Sequence, residues 1–243
     1  MEQNIFESWL CNKYIAHRGL HDDKNPENSL GAFENAINAG FPIELDVRLI
    51  SDGSIIVFHD ENLSKMCGKD KYASQLTKED LASCKLKSTE YTIPTFEEVL
   101  KFVDGRTPLL IELKQLDKIG ELESKVLKAL DGYKGEIAVQ SFNPYSLEWF
   151  KNNAPQIWRG QLSSFFKNDK LGSLKKWVLK RLKMNKVSCP NFISYHADDL
   201  PNRWVKKYEN LPILAWTIRN QQQYIKAVQC SDNVIFEDFI PTI

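Results

Sequence analysis

Short apolar runs alternate with amphipathic stretches from residue 13 to residue 236, and this alternation limits the fold more than any other feature. Runs of strand length lie at Lys13–Ala16, Ile43–Val47, Pro108–Lys114, Ile137–Phe142, Ile157–Leu162, Phe192–Tyr195, Ile213–Thr217 and Val234–Phe236. Helical periods fall between them. Leu30–Ala39 starts after the N-cap Ser29 and stops at Gly40, and Pro94-Thr95 opens a helix through Val103. Ile119–Leu130, Pro144–Asn152, a basic stretch around Leu171–Lys183, Pro201–Tyr208 and Gln221–Val228 complete the series. One strand and one helix per unit, repeated through eight units, predicts an α/β chain with parallel strands, the (β/α)8 barrel. An open doubly wound sheet is weaker, because no glycine-rich phosphate loop follows the first strand. The last strand has no helix after it, and a short helix expected over residues 4–11 is the element left to cover that place. Residues 60–94 are polar and irregular, with one helix expected at Thr77–Ala82. They read as a small cap inserted after the second strand unit of a single domain spanning residues 1–243.

Composition removes several function classes. Lys plus Arg and Asp plus Glu number 32 each, so a formal charge of zero argues against a nucleic-acid binder. No apolar run approaches the roughly 20 residues a membrane span needs. The start, MEQNIFESWLCNK, has acids where a signal peptide carries bases, and no long apolar core. Cys11, Cys67, Cys84, Cys189 and Cys230 are scattered and odd in number, which predicts reduced thiols and a cytoplasmic protein. Nothing in the sequence sets the oligomeric state.

The chemistry concentrates in Phe41–Asp60, FPIELDVRLISDGSIIVFHD. Period 2 puts Glu44 and Asp46 on one strand face and Ile43, Leu45 and Val47 on the other. Neighbouring carboxylates repel unless a cation lies between them. Ser51-Asp52-Gly53 then turns the chain into a second apolar run that ends in His59-Asp60. A surface hairpin with a solvated acidic face is the competing reading. Across the chain, His17-Arg18, Glu44/Asp46, His59-Asp60 and Glu112/Lys114 fall at or near strand ends, and in this barrel class the carboxyl ends hold the active site. Three carboxylates without sulfur ligands suit Mg²⁺ or Ca²⁺. Two histidines suit a general base and a general acid, and Arg18 with Lys114 suits an anionic substrate. Together these describe metal-assisted phosphoryl transfer.

His17-Arg18-Gly19, Pro26-Glu27-Asn28-Ser29, Glu44-x-Asp46, Asp52-Gly53 and His59-Asp60 stand in the order and spacing of the glycerophosphodiester phosphodiesterase family, which the chain resembles. Later stretches are also similar: Ile93–Leu100, Ile111-Glu112-Leu113-Lys114, Gln140-Ser141-Phe142 and Ala215-Trp216-Thr217. The resemblance implies a (β/α)8 barrel with a cap after the His-Asp motif. It implies a phosphoric diester hydrolase that converts small-molecule glycerophosphodiesters to glycerol 3-phosphate and an alcohol. His17 and His59 match the catalytic pair, and Glu44, Asp46 and Glu112 match the ligands of one divalent cation, Mg²⁺ or Ca²⁺. Arg18 and Lys114 would bind phosphate, and Glu27 would support the metal site. Trp216 reads either as packing near the mouth or as a platform for the substrate. One histidine would deprotonate the glycerol hydroxyl for attack on phosphorus while the other protonates the leaving alcohol. Water would then open the cyclic phosphate. Ser51 before Asp-Gly, Lys65 and Cys67 after His-Asp, and Glu237-Asp238 at the last strand depart from the family pattern and bear on substrate choice. The alternatives are a phospholipase-D-like enzyme acting on lysolipids and a non-catalytic barrel that only binds a phosphodiester.

One further segment stands apart. In Phe165–Lys186 eight basic residues accompany Asp169 as the only acid. Leu171, Leu174, Val178 and Leu182 form an apolar stripe at helical spacing. The plain reading packs the stripe on the barrel, with the lysines as a solvated face. The sharper one is weak docking on an anionic membrane, with Trp177 and Leu179 off the stripe and able to insert.

Overall fold

A computed structural model describes residues 4–114, 118–167 and 170–242 of the chain. The chain divides into two compact units, one from Ala16 to Ile137 and the other joining the residues up to Ile15 with those from Ala138 on.

The unit from Ala16 to Ile137 is built on β2 (Ile43–Leu49), which pairs in parallel with the end of β1 (Ile15–Ala16) and with β4 (Leu109–Leu113). Its far end turns through Ser51–Gly53 into β3 (Ile55–Val57), which runs antiparallel with Val47 opposite Val57. Helix α2 (Leu30–Asn38) starts where the Ser29 hydroxyl accepts from Ala32 N, as its cap position requires. Helix α4 (Phe96–Val103) starts in a capping box: Thr95 Oγ1 accepts from Glu98 N, and the Glu98 carboxylate accepts from Thr95 N. Helix α5 (Glu121–Ala129) begins after Gly120. Both faces of β2 are buried. Ile43, Leu45 and Val47 are fully buried, as are Glu44 and Asp46 on the other side.

Residues 60–94 depart from expectation. The expected helix at Thr77–Ala82 is a 3₁₀ turn, Lys78–Ser83, capped by Thr77. Two more 3₁₀ turns, Ala73–Gln75 and Leu86–Ser88, and helix α3 (Ser64–Cys67) were not signalled by the sequence. The segment is also less polar than it reads. Leu63, Met66, Leu76, Leu81 and Leu86 are buried with Ile50, Ile56 and Phe58 of the β2–β3 hairpin. Turns of three residues break the 3.6 period, so their apolar positions escape a periodicity search.

The other unit pairs β5 (Ile137–Ser141), β6 (Trp158–Ser163), β7 (Phe192–His196), β8 (Ile213–Ile218) and β9 (Asn233–Phe236) in parallel, in chain order. Helix α6 (Pro144–Asn153) follows β5, and α9 (Gln221–Ala227) follows β8. Between β6 and β7 the expected Leu171–Lys183 helix is shorter, α7 (Ser173–Leu179), and an unforeseen α8 (Asn185–Ser188) follows it. The expected Pro201–Tyr208 helix is a 3₁₀ turn, Val205–Tyr208, preceded by Asn202, whose Oδ1 accepts from Trp204 N and Val205 N. The expected N-terminal helix appears as α1 (Trp9–Asn12) behind a 3₁₀ turn at Ile5–Glu7. Asn233 Nδ2 of β9 donates to the Leu10 and Lys13 carbonyls at 2.7 Å each, tying that helix to the last strand.

Eight parallel strands alternate with helical segments among the described residues, the pattern of a (β/α)8 barrel. No described helix is long and apolar enough to cross a membrane. The five cysteines are free thiols.

Candidate active site

Strand register makes the acidic cluster. In the parallel β2–β4 pair Asp46 stands opposite Glu112, and Glu44 precedes Asp46 by two residues, so all three side chains leave the same face. One carboxylate oxygen from each lies within 4.8 Å of the others, and all three residues are buried. That removes the reading of a solvated acidic hairpin. Asp46 is 0 % exposed.

Two cations are built into the cluster. Lys114 Nζ, just past the end of β4, lies 2.8 Å from Glu112 Oε1 and 3.2 Å from Asp46 Oδ1. Arg18 Nε lies 3.3 Å from Asp46 Oδ2, and Arg18 Nη1 donates to Glu27 Oε1 at 2.5 Å. Arg18 reaches this position because the chain turns sharply after β1: its φ is 58° and that of Gly19 is 81°. A Cβ at Gly19 would lie 2.9 Å from the Ala32 backbone, so only glycine fits there.

The carboxylates respond unequally. Burial, reinforced by Asp46 and Glu112, pushes the Glu44 carboxyl well above the usual carboxylate range against the pull of Arg18 and Lys114. Burial also opposes ionisation of Asp46, but Lys114 and Arg18 outweigh it and hold that carboxyl well below the range. Burial likewise disfavours the Lys114 ammonium, yet Glu112 and Asp46 keep it charged above its ordinary value.

Both histidines border the cluster. His17 Nε2 stands 3.9 Å from Glu44 Oε2. His59 follows β3, and its Nδ1 lies 2.7 Å from Asp60 Oδ1. The hydrogen bond from His59, against the cost of burial, keeps the Asp60 carboxyl below its ordinary value. Asp60, held ionised, accepts a hydrogen bond from Nδ1–H, and Nε2 is the ring nitrogen turned away from it.

Of the residues expected here, His17, Arg18, Glu27, Glu44, Asp46, His59, Glu112 and Lys114 all belong to the unit from Ala16 to Ile137. Glu27 enters through its pair with Arg18 and stands outside the three-carboxylate group. Trp216 belongs to the other unit. It is half-buried on β8, its ring edge-on to His196 at 5.1 Å and to Phe142 at 5.6 Å.

Three residues with structural duties at the site received no role from the sequence. Asn28, at a φ of 57°, donates from Nδ2 to Asp46 Oδ2 at 2.9 Å and accepts at Oδ1 from Asp46 N at 3.4 Å. Arg48 donates to the His59 carbonyl from Nε at 2.9 Å and from Nη2 at 2.5 Å, fixing the loop that presents the imidazole. Asp60 orients that imidazole. For two of them a signal was available: Arg48 shares the parity of Glu44 and Asp46, and Asp60 adjoins His59.

The sequence profile of the glycerophosphoryl diester phosphodiesterase family matches residues 17–241. The chain belongs to that family. Its members are phosphoric diester hydrolases, and so by family is this chain. A glycerophosphodiester phosphodiesterase of Caldanaerobacter subterraneus is 30% identical over 237 residues, which cover 92% of this chain and 93% of the relative. Among solved structures, a phosphodiesterase of Oleispira antarctica in complex with the product sn-glycerol-3-phosphate superposes with a TM-score of 0.76 at 23% identity, covering 93% of this chain and 92% of its own. A glycerophosphodiester phosphodiesterase of Thermotoga maritima superposes with a TM-score of 0.69 at 26% identity, covering 92% and 94%. The fold shared with these structures is the (β/α)8 barrel, as expected from the strand–helix alternation.

Within this family site, Asn28→Ala removes one bond to the buried Asp46 carboxylate and one from its backbone N–H, and puts alanine at a positive φ that, glycine aside, asparagine tolerates best. Chemical denaturation is expected to show a loss of about 1–3 kcal/mol at unchanged m-value.

Proposed function

We propose that the chain is a divalent-cation-dependent glycerophosphodiester phosphodiesterase, acting in the cytoplasm as one domain and releasing glycerol 3-phosphate by histidine acid–base catalysis. The observation that supports this best is the buried Glu44, Asp46 and Glu112 cluster, with His17 beside Glu44 and both histidines close enough to act electrostatically on Asp46. The donor set fits a hard cation: three carboxylates, no sulfur, and a buried Asp46 Oδ1 that accepts no well-aligned hydrogen bond although Lys114 faces it. Glu44, Asp46 and Glu112 would hold Mg²⁺ or Ca²⁺. Such an ion, when bound, supplies positive charge for the phosphate oxygens as charge builds on them.

The protein's own groups do the rest. Arg18 and Lys114 hold the phosphate, each oriented by the carboxylates it pairs with. Trp216, in the carboxyl half of β8, is the residue this reading gives to the organic part of the substrate. One histidine accepts the proton of the glycerol hydroxyl beside the phosphodiester as that oxygen attacks phosphorus. The other gives its proton to the departing alcohol oxygen. Water then opens the resulting cyclic phosphate, and the histidines exchange roles.

Product analysis tests the reading. On glycerophosphocholine, glycerophosphoethanolamine and lysolipids, glycerol 3-phosphate and the free alcohol are expected from the water-soluble diesters. Phosphocholine as the product, or turnover of lysolipids alone, overturns it.

A further inference from the structure

The segment between β6 and β7 does not pack as an ordinary outer helix of a barrel. None of the residues of α7 is buried, and Leu174 is 75% exposed. Of the apolar stripe expected to face the barrel, only Leu182, beyond the helix end, enters the core, where it packs with Ile193, Tyr195 and Val205. Asp169, the one acid of the segment, lies outside the described residues. From Lys170 to Lys186, and again from Pro201 to Tyr208, there is no acidic residue at all.

Basic groups and tryptophans interleave on this surface. Arg181 lies over the Trp177 ring at 4.3 Å and over the Trp204 ring at 4.5 Å. Lys183 lies over Trp177 at 3.8 Å, and Arg203 over Trp204 at 4.2 Å. Lys207 stands 5.6 Å from the same Trp204 ring. The patch is held firmly: Ser163 Oγ donates to the Leu179 carbonyl at 3.0 Å, Tyr195 Oη to the Lys180 carbonyl at 2.8 Å, and Tyr208 Oη to the Leu182 carbonyl at 3.0 Å. Ser163 ends β6 and Tyr195 lies near the end of β7, so the patch sits at the carboxyl ends of its own strands.

From this we infer that α7, with the turn after it and the Arg203–Lys207 segment, docks the protein on anionic lipid bilayers. Charge alone would serve any polyanion. The exposed Leu174 and the partly exposed Val178 and Leu179 are what favour a bilayer, because they offer apolar surface beside the lysines, and tryptophan rings settle at the headgroup level. The chain has no net charge, so any attraction has to come from a local basic excess such as this patch. The inference does not depend on the phosphodiesterase reading.

Vesicle co-sedimentation of the whole chain tests it. Binding to phosphatidylglycerol–phosphatidylcholine vesicles is expected at low salt, with little to pure phosphatidylcholine and a decline as salt rises. The triple variant Lys175→Glu, Lys176→Glu, Lys180→Glu should bind at least about tenfold more weakly. Leu174→Ser, at a site too exposed to disturb folding, should also weaken binding; circular dichroism checks that both variants keep the fold. A protein that stays in the supernatant at low salt overturns the inference. So does a triple variant that binds as well as the parent, or tighter binding to a DNA duplex of equal phosphate content.

Discussion

Alanine at His17 or at His59 is expected to lower kcat/KM on a glycerophosphodiester by about 10²–10⁴-fold each. The two sites differ in ways that predict different details. His59 is held from both sides, with Arg48 on its carbonyl and Asp60 on Nδ1, so its Nε2 is presented in a fixed direction. His17 lies deeper, 3.9 Å from Glu44. If each moves one proton, the pH profile of kcat/KM is bell-shaped and each variant loses one limb. A nitrophenyl ester, whose leaving group needs no proton, should rescue only the variant that lacks the acid. Near-parental turnover of an alcohol-leaving substrate by either variant removes that histidine from the mechanism. Asp60→Asn, which keeps the shape but not the charge, should weaken activity less than His59→Ala and shift the profile.

Chelation is the second large effect. Dialysis against EDTA is expected to abolish turnover, and Mg²⁺ or Ca²⁺ to restore it. Glu44→Gln keeps the volume and removes a ligand charge, so more cation should be needed for the same activity. A second readout avoids dependence on catalysis. An ion held by the native chain alone raises its stability by about 2.7 kcal/mol at a hundredfold excess over Kd, which thermal unfolding detects, and Glu44→Gln should reduce that gain. Full activity after exhaustive dialysis in EDTA contradicts the metal reading outright.

The site was legible because strand periodicity is rigid. Once Ile43–Val47 is a strand, Glu44 and Asp46 must share a face, and the same parity should have drawn Arg48 into view. The cap was poorly legible because its apolar residues are spread over 3₁₀ turns, the single turn of α3 and the bends between them, too short for a period of 2 or of 3.6 to show. Helix lengths were the least legible: one expected helix is a 3₁₀ turn at Val205–Tyr208, and the expected Leu171–Lys183 helix ends at Leu179, with α8 following separately. Asn28 could not be given its role from sequence, since that role depends on a left-handed backbone conformation that brings its amide to Asp46.

Lys114 and Arg18 already neutralise much of the charge that Glu44, Asp46 and Glu112 would otherwise bring together. On the proposed cation-dependent reading, the pocket would be formed before any ion arrives, and the folded chain would stand without one. Loss of the cation would then be a question of occupancy, reversible by adding it back, with no refolding step. A preparation's activity would follow its last buffer, and circular dichroism of an EDTA-treated sample should match that of the active one.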